Sequence, residues 1–303
     1  MKWYQVKEQS AGRKRLLLTW WGYKIFGKNF VIFIAFWVSF FTFCFASGLR
    51  KYSRKYLKIV GINSGLVNQF RHFLSYALSL VDKIEIFSNN FDIKKVSFAD
   101  ENCKKLLFED LKNRKGIFFI CSHLGNIDVM RTFLTSNEEN TNVDVNVFLS
   151  KEQCKIFNEF IKQISAINRI KTYPVEDINI DTSITLKECL DKGEIAFMAG
   201  DRTSKTNQDS TYKATLFDKT VELPTGTFKL AQLMKVPIYC IAALKAENDT
   251  YIIHLKKVDN CKGTRREILK NNITTYAKFL EEKTLLAPLQ FYHFYDFFAD
   301  FLG

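Results

Sequence analysis

At 303 residues, 47% of them hydrophobic and a quarter charged, the chain can fill one large core or two modest ones, which excludes an extended disordered protein. A formal net charge of +12 directs it toward an anionic partner, whether nucleic acid, phospholipid or an acidic carrier protein. The seven cysteines are dispersed with no Cys-x-x-Cys pair, so neither a disulfide framework nor a zinc site is indicated, and the bulk of the chain is expected to face a reducing cytoplasm.

In chain order, the first strong signal is residues 29–49, which carry no charged side chain but include seven phenylalanines and Trp37. As one helix the run measures about 31 Å, close to the ~30 Å hydrocarbon core of a bilayer, and a buried core helix rarely stays apolar on every face for so long. Twenty-eight residues precede it, which disfavours a cleavable signal. Basic residues stand on both sides, Lys24 and Lys28 before it and Arg50, Lys51, Arg54 and Lys55 after it. Charge therefore gives no orientation, and a helix lying in the cytoplasmic leaflet fits as well as a span. Residues 1–60 are assigned to a membrane-anchoring helical region and 61–303 to an α/β domain.

Helical periodicity continues over 57–60 and 70–81, with Gly61 and Gly65 between the two. Beyond it the signals alternate: helix 102–113, strand 117–121, helix 127–134, strand 143–149, helix 152–164, strand 169–173, helix 182–191 and strand 194–199. An extended pair around 214–223, helix 225–234, strands 238–244 and 251–255 and C-terminal helices complete the series. Such alternation predicts a mostly parallel mixed sheet flanked by helices on both faces. Ligands of such sheets bind beyond the carboxyl ends of the strands.

His123 falls at one of those ends. In Ser122-His123-Leu124-Gly125-Asn126-Ile127-Asp128 a histidine precedes an acid by five residues where a strand should turn into a helix. On a continuous helix that spacing would set the two side chains roughly 140° apart. They converge only if the histidine occupies the turn and the acid the first helical turn, with Gly125 supplying an unusual backbone angle and Asn126 the N-cap. His254 and Asp259 share the spacing without the glycine turn or a helix start, and are read as incidental. Asp201 and Arg202 also follow a strand; Arg202 has the forked donors that suit phosphate, with an exposed polar-loop pair as the plainer alternative. Leu223-Pro224-Thr225-Gly226 reads as a turn with Thr225 capping the next helix, either contacting substrate or serving structure alone. His72 and His293 lie among aromatic residues and are read as packing, and the aromatic close of the chain over 291–298 as packing or membrane contact.

Ser122-His123 through Asp128 resembles the H-x4-D block of the lysophospholipid acyltransferase superfamily. Further blocks agree in order: Phe197-Met198-Ala199-Gly200-Asp201-Arg202, Leu223-Pro224-Thr225-Gly226-Thr227-Phe228, Val236-Pro237-Ile238, and the closing Gln290 to Phe297. With the anchor and the stretch from Arg71-His72-Phe73 to Asp82, the chain is similar to the lipid A late acyltransferase branch along nearly its whole length. It departs at Gly226-Thr227, where many members have Gly-Pro, and at 216–220, which lacks a glycine often found there. The resemblance implies transfer of a fatty acyl chain from a thioester, on acyl carrier protein or coenzyme A, to a lipid or glycolipid at the cytoplasmic side of a bacterial inner membrane. It implies no metal and no cofactor beyond the thioester co-substrate, and no nucleic-acid partner.

The chemistry of the residues is consistent with this. An acceptor hydroxyl needs a base, and neutral imidazole titrates near physiological pH, so His123 is the candidate base. Asp128 is expected to fix its tautomer, and backbone N–H groups after Asn126 to stabilise the developing oxyanion. Asp201, Arg202, Thr225 and Gly226 are the expected substrate contacts. Ser122 has no Gly-x-Ser-x-Gly elbow around it, which argues against a serine hydrolase. The competing class is a non-catalytic basic membrane protein that binds anionic lipid or nucleic acid through Lys104, Lys105, Lys112, Arg114 and Lys115. A thioesterase or lipase is the third option.

Overall fold

In the computed structural model, which describes residues 13–88, 90–136, 143–164, 169–202, 210–259 and 262–298, nine strands and nine helices follow one another largely as the alternation predicts. The chain enters through α1 (Arg13–Phe45), α2 (Ser47–Ile59) and α3 (Leu66–Phe87). It continues through β1 (Val96–Phe98), α4 (Glu101–Lys112), β2 (Ile117–Cys121), α5 (Ile127–Ser136), β3 (Val145–Leu149), α6 (Lys151–Ile164), β4 (Ile170–Pro174), α7 (Ile180–Asp191) and β5 (Ile195–Ala199). A hairpin of β6 (Thr211–Leu216) and β7 (Lys219–Pro224) precedes α8 (Gly226–Met234), β8 (Ile238–Lys245), β9 (Tyr251–Lys257) and α9 (Arg265–Leu286). One strand, β1, has no counterpart in the expectation; three residues at a sheet edge carry too little pattern to read.

Seven strands form one sheet in the order β1-β9-β8-β2-β5-β3-β4, and every pairing is parallel except that of β8 with β9. β6 and β7 form a separate two-stranded antiparallel sheet among the described residues. The central strand β2, Ile-Phe-Phe-Ile-Cys, is buried at every position, as is usual in a parallel sheet. Its alternate residues enter two separate cores. Phe118 and Ile120 join Leu57 of α2, Leu190 of α7, Phe228 of α8 and Tyr276 of α9. Ile117, Phe119 and Cys121 join Ile84 of α3, Leu107 of α4, Met130 of α5 and Phe160 of α6. Tyr56, Leu57 and Val60 thus tie the end of the N-terminal region into the main core.

The apolar N-terminal run is not one uninterrupted rod. Ala46 divides it by leaving helical geometry between α1, which ends at Phe45, and α2, and two residues before the run Gly27 (φ 79°, ψ 179°) breaks α1 in a conformation that suits glycine. Before the break, Leu17, Trp20 and Tyr23 pack against the second core. At the break, Lys28 lies 2.7 Å from Glu85 and 2.5 Å from Asp249. Beyond it the helix runs back along α3, with Phe36 and Phe40 on Phe70 and Phe43 on both Phe70 and Phe73. The outward face, including Phe33, Trp37, Phe41 and Phe45, is exposed. By length and composition Leu17–Phe45 would suffice to cross a membrane, yet one side of it rests on the α/β domain.

Candidate active site

Strand register builds the site. β2 and β5 are adjacent and parallel with Cys121 opposite Ala199, so two residues further along each chain His123 and Asp201 emerge side by side beyond the carboxyl ends. The Gly200 N–H donates to the Cys121 carbonyl at 2.9 Å and prolongs the pairing past the strands. Gly125 (φ 71°) then turns the chain, and a side chain there would begin 2.1 Å from the Ala243 carbonyl oxygen, so only glycine allows the turn to pass against β8. Asn126 caps α5 as expected, its Oδ1 accepting from the Asp128 N–H at 3.3 Å.

The carboxylate beside His123 is Asp201. Its Oδ2 accepts the His123 backbone N–H at 2.8 Å and lies 3.0 Å from His123 Nδ1, with Oδ1 at 3.1 Å. On the same Oδ2, His293 Nε2 stands at 2.9 Å. Asp201 and His293 are buried, whereas the His123 side chain is one-third exposed. Burial drives the Asp201 carboxyl upward, but the charge and hydrogen bond of His123 and the hydrogen bond of His293 outweigh it and hold the group well below the usual carboxylate range. Burial, against the pull of Asp201, lowers His293 to about 3. A neutral His293 donates from Nε2 to Asp201 and leaves Nδ1 as the acceptor facing Arg202 Nη2 at 3.4 Å. With His123 Nδ1 likewise turned to Asp201, its Nε2 is the open face of the ring, and no hydrogen bond engages it among the described residues.

Asp128 does not meet His123 as its spacing suggests. From the first turn of α5 it bonds Arg131 one turn on, at 2.5 Å, and Lys83 of α3 lies 2.9 Å from its other oxygen as an ion pair. Burial pushes the Asp128 carboxyl up, but these two cations together bring it below its ordinary value. Arg131 in turn lies over the Phe197 ring, 5.4 Å from its centre. The expected pairing therefore fails for a definite reason: a buried carboxylate takes the nearest cations, and both are on helices packed behind the turn. Of the anticipated oxyanion donors after Asn126, those of Asp128 and Val129 are engaged internally. Asn126 N–H donates to the Ala243 carbonyl, and those of Asp128 and Val129 return to Asn126.

The remaining expected contacts divide. Arg202 is turned to the C-terminal segment, donating to the Tyr292 carbonyl at 3.1 Å and lying over the Tyr295 ring. Thr225 is buried and stands at the N-cap position of α8 as expected, but its side chain makes no capping bond; its hydroxyl pairs with Ser210 Oγ at 2.6 Å and closes the base of the β6–β7 hairpin. Gly226 opens α8 with nothing within 4 Å of where a side chain would start, while Thr227 ties that turn to the Ala199 carbonyl at 2.7 Å. His72 is packed, as expected, bridging Ser53 Oγ and the Phe291 carbonyl, each at 3.0 Å. His293 is not merely packed. The signal that could have singled it out was its place as the one imidazole of that aromatic block, but such a setting reads more simply as core.

His123, Asp201 and His293 bring three donor atoms within 4.8 Å of one another, a set that a transition metal could use. The same atoms face each other at hydrogen-bond distance, and the Arg202 guanidinium beside His293 opposes a second cation. The cluster is better suited to holding and moving a proton. Comparison of the sequence with protein-family models and with curated proteins finds no match.

Proposed function

We propose that the chain is a membrane-associated acyltransferase with His123 as its base and Asp201 as the residue that positions it. The carrying observation is the His123–Asp201 pair: a partly exposed imidazole at the end of a central parallel strand, its inner nitrogen held by a buried, ionised carboxylate. Nε2 would take the proton of an acceptor hydroxyl as its oxygen attacks the thioester carbonyl. The C–S bond then breaks, and the imidazolium returns the proton to the leaving thiolate. Asp201 stabilises the imidazolium formed between these steps. The donor is an acyl thioester on acyl carrier protein or coenzyme A, and the acceptor is a lipid or glycolipid. No nucleophilic serine is required.

The setting is the cytoplasmic face of a bacterial inner membrane. The exposed aromatic face of α1 is the surface that would enter lipid, and its docking on α3 favours a helix lying in one leaflet over a span. The two cores, each containing alternate residues of β2 with a different set of helices, support the expected layering of helices on both sheet faces. The test is purified protein in lipid with an acyl thioester and total bacterial lipid, read by mass spectrometry for a lipid gaining one acyl group. His123→Ala should remove that product. Release of free fatty acid without an acceptor would mark a thioesterase instead, and thioester left unconsumed would favour a lipid-binding protein.

A further inference from the structure

Away from the His123 ring lies a cavity of about 440 Å³, within the ~300–1,000 Å³ range of small-molecule sites. One wall is α3, with Leu74 and Leu78; the opposite wall is the end of α9 and the segment after it, with Leu286 and Leu289. Gly125 and Asn126 form part of its lining, so the cavity backs onto the turn that follows His123 without including the ring. Two cations border it and they are not equivalent. Lys245 is neutralised by Asp82 and Asp249, each at 2.6 Å. Arg71 is exposed at the rim and has no ion pair or hydrogen bond among the described residues, and the other α3 residues that line the cavity, Leu74, Ser75, Leu78 and Ser79, carry no charge.

A largely apolar space, bordered by one exposed guanidinium that has no ion pair among the described residues, is complementary to a single apolar chain ending in an anion. α3 presents Phe70 and Phe73 to the lipid-facing helix α1 and Arg71, Leu74 and Leu78 to this cavity, so the same helix borders both surfaces. We infer that the cavity binds a single-chain anionic lipid, its head on Arg71 and its chain along Leu74, Leu78, Leu286 and Leu289. The site is separate from the proposed base, and its occupancy does not depend on acyl transfer.

The experiment displaces a fluorescent fatty-acid analogue from the full chain in phosphatidylcholine nanodiscs, with dodecanoate, a twelve-carbon lysophosphatidic acid and zwitterionic dodecylphosphocholine as competitors. Dodecanoate, the lysophosphatidic acid or both should displace the probe and dodecylphosphocholine should not; which of the two anions does so separates a carboxylate head from a phosphate. Arg71→Gln should weaken that binding about tenfold, the effect of losing one charged hydrogen bond. Leu78→Trp should abolish it, with Leu289→Trp as a second obstruction if the first unfolds the protein. His123→Ala should leave it unchanged while removing any acyl transfer, which keeps the two readings distinguishable. Equal displacement by dodecylphosphocholine, unchanged affinity in Arg71→Gln, or no displacement by any competitor would overturn the inference.

Discussion

The backbone N–H of His123 and its ring Nδ1 address the same oxygen of Asp201, at 2.8 and 3.0 Å. One carboxylate therefore fixes both the loop that carries the imidazole and the face that the ring presents. Asp201→Asn preserves the shape of the side chain but removes the charge that stabilises an imidazolium, and it can offer an N–H where an acceptor is needed. Turnover should fall about 10³- to 10⁴-fold, the scale seen when an aspartate orienting a histidine base is so changed. Steady-state acyl transfer by the purified variant is the measurement, and activity within tenfold of the parent would remove Asp201 from the mechanism.

Asp128 should behave differently, because its partners are structural. Asp128→Asn leaves the buried Arg131 guanidinium without its counter-charge, a loss of about 3–5 kcal/mol for a broken buried pair. Lys83, half-buried on α3, loses its partner as well. A lower denaturation midpoint is expected, with activity per folded molecule reduced much less than in Asp201→Asn. Unchanged stability with lost turnover would return Asp128 to the role of the acid beside the base.

These two residues show what could be read from the chain. His123 was legible because strand, glycine turn, N-cap and helix start are all local, and β2 has the bounds expected of it. Its partner was not, because Asp201 is 78 positions away and arrives only through the parallel register of β2 with β5. Local spacing favoured Asp128, but spacing cannot show that Arg131 and Lys83 would claim it first. Arg202 follows a strand and Thr225 stands in the turn before a helix as their neighbourhoods suggest, yet what they touch depends on the C-terminal segment and on Ser210, which those neighbourhoods do not reveal. The exposed face of α1 was legible from composition; its docking on α3 depends on phenylalanines that read simply as apolar.

Acid should destabilise the fold before it reaches the carboxylates. Burial lowers His72 to about 4 and His293 to about 3, against an ordinary value near 6.5. Between those limits the unfolded chain binds protons that the native protein does not, so stability falls as pH drops from about 6.5 toward 4 and is fully present above that window. The expected loss at pH 4 is on the order of a few kcal/mol. Urea unfolding in detergent at pH 7, 5.5 and 4.5 measures it, and His72→Gln should flatten the dependence. A profile level across that range would show that neither ring is held neutral by the fold.

The arrangement of α1 decides on which side of the membrane its first half lies. If the helix crossed the bilayer, Lys24 would be separated by lipid from the α/β domain, to which α2 is joined through Tyr56 and Leu57. In the structure, Trp20 and Tyr23 pack on that domain and Lys28 pairs with Glu85 and Asp249, so Lys24 belongs to the domain side. The two arrangements separate in oriented membrane vesicles of cells expressing Lys24→Cys or, as a domain marker, Lys219→Cys. Both variants carry Cys44→Ser and Cys261→Ser, the other five cysteines being buried in the structure. A membrane-impermeant maleimide should label both positions in the same vesicle orientation. Labelling of Lys24→Cys only from the face opposite to Lys219→Cys would establish a span, and would require the contacts of Lys28 with Glu85 and Asp249 to be broken in the membrane.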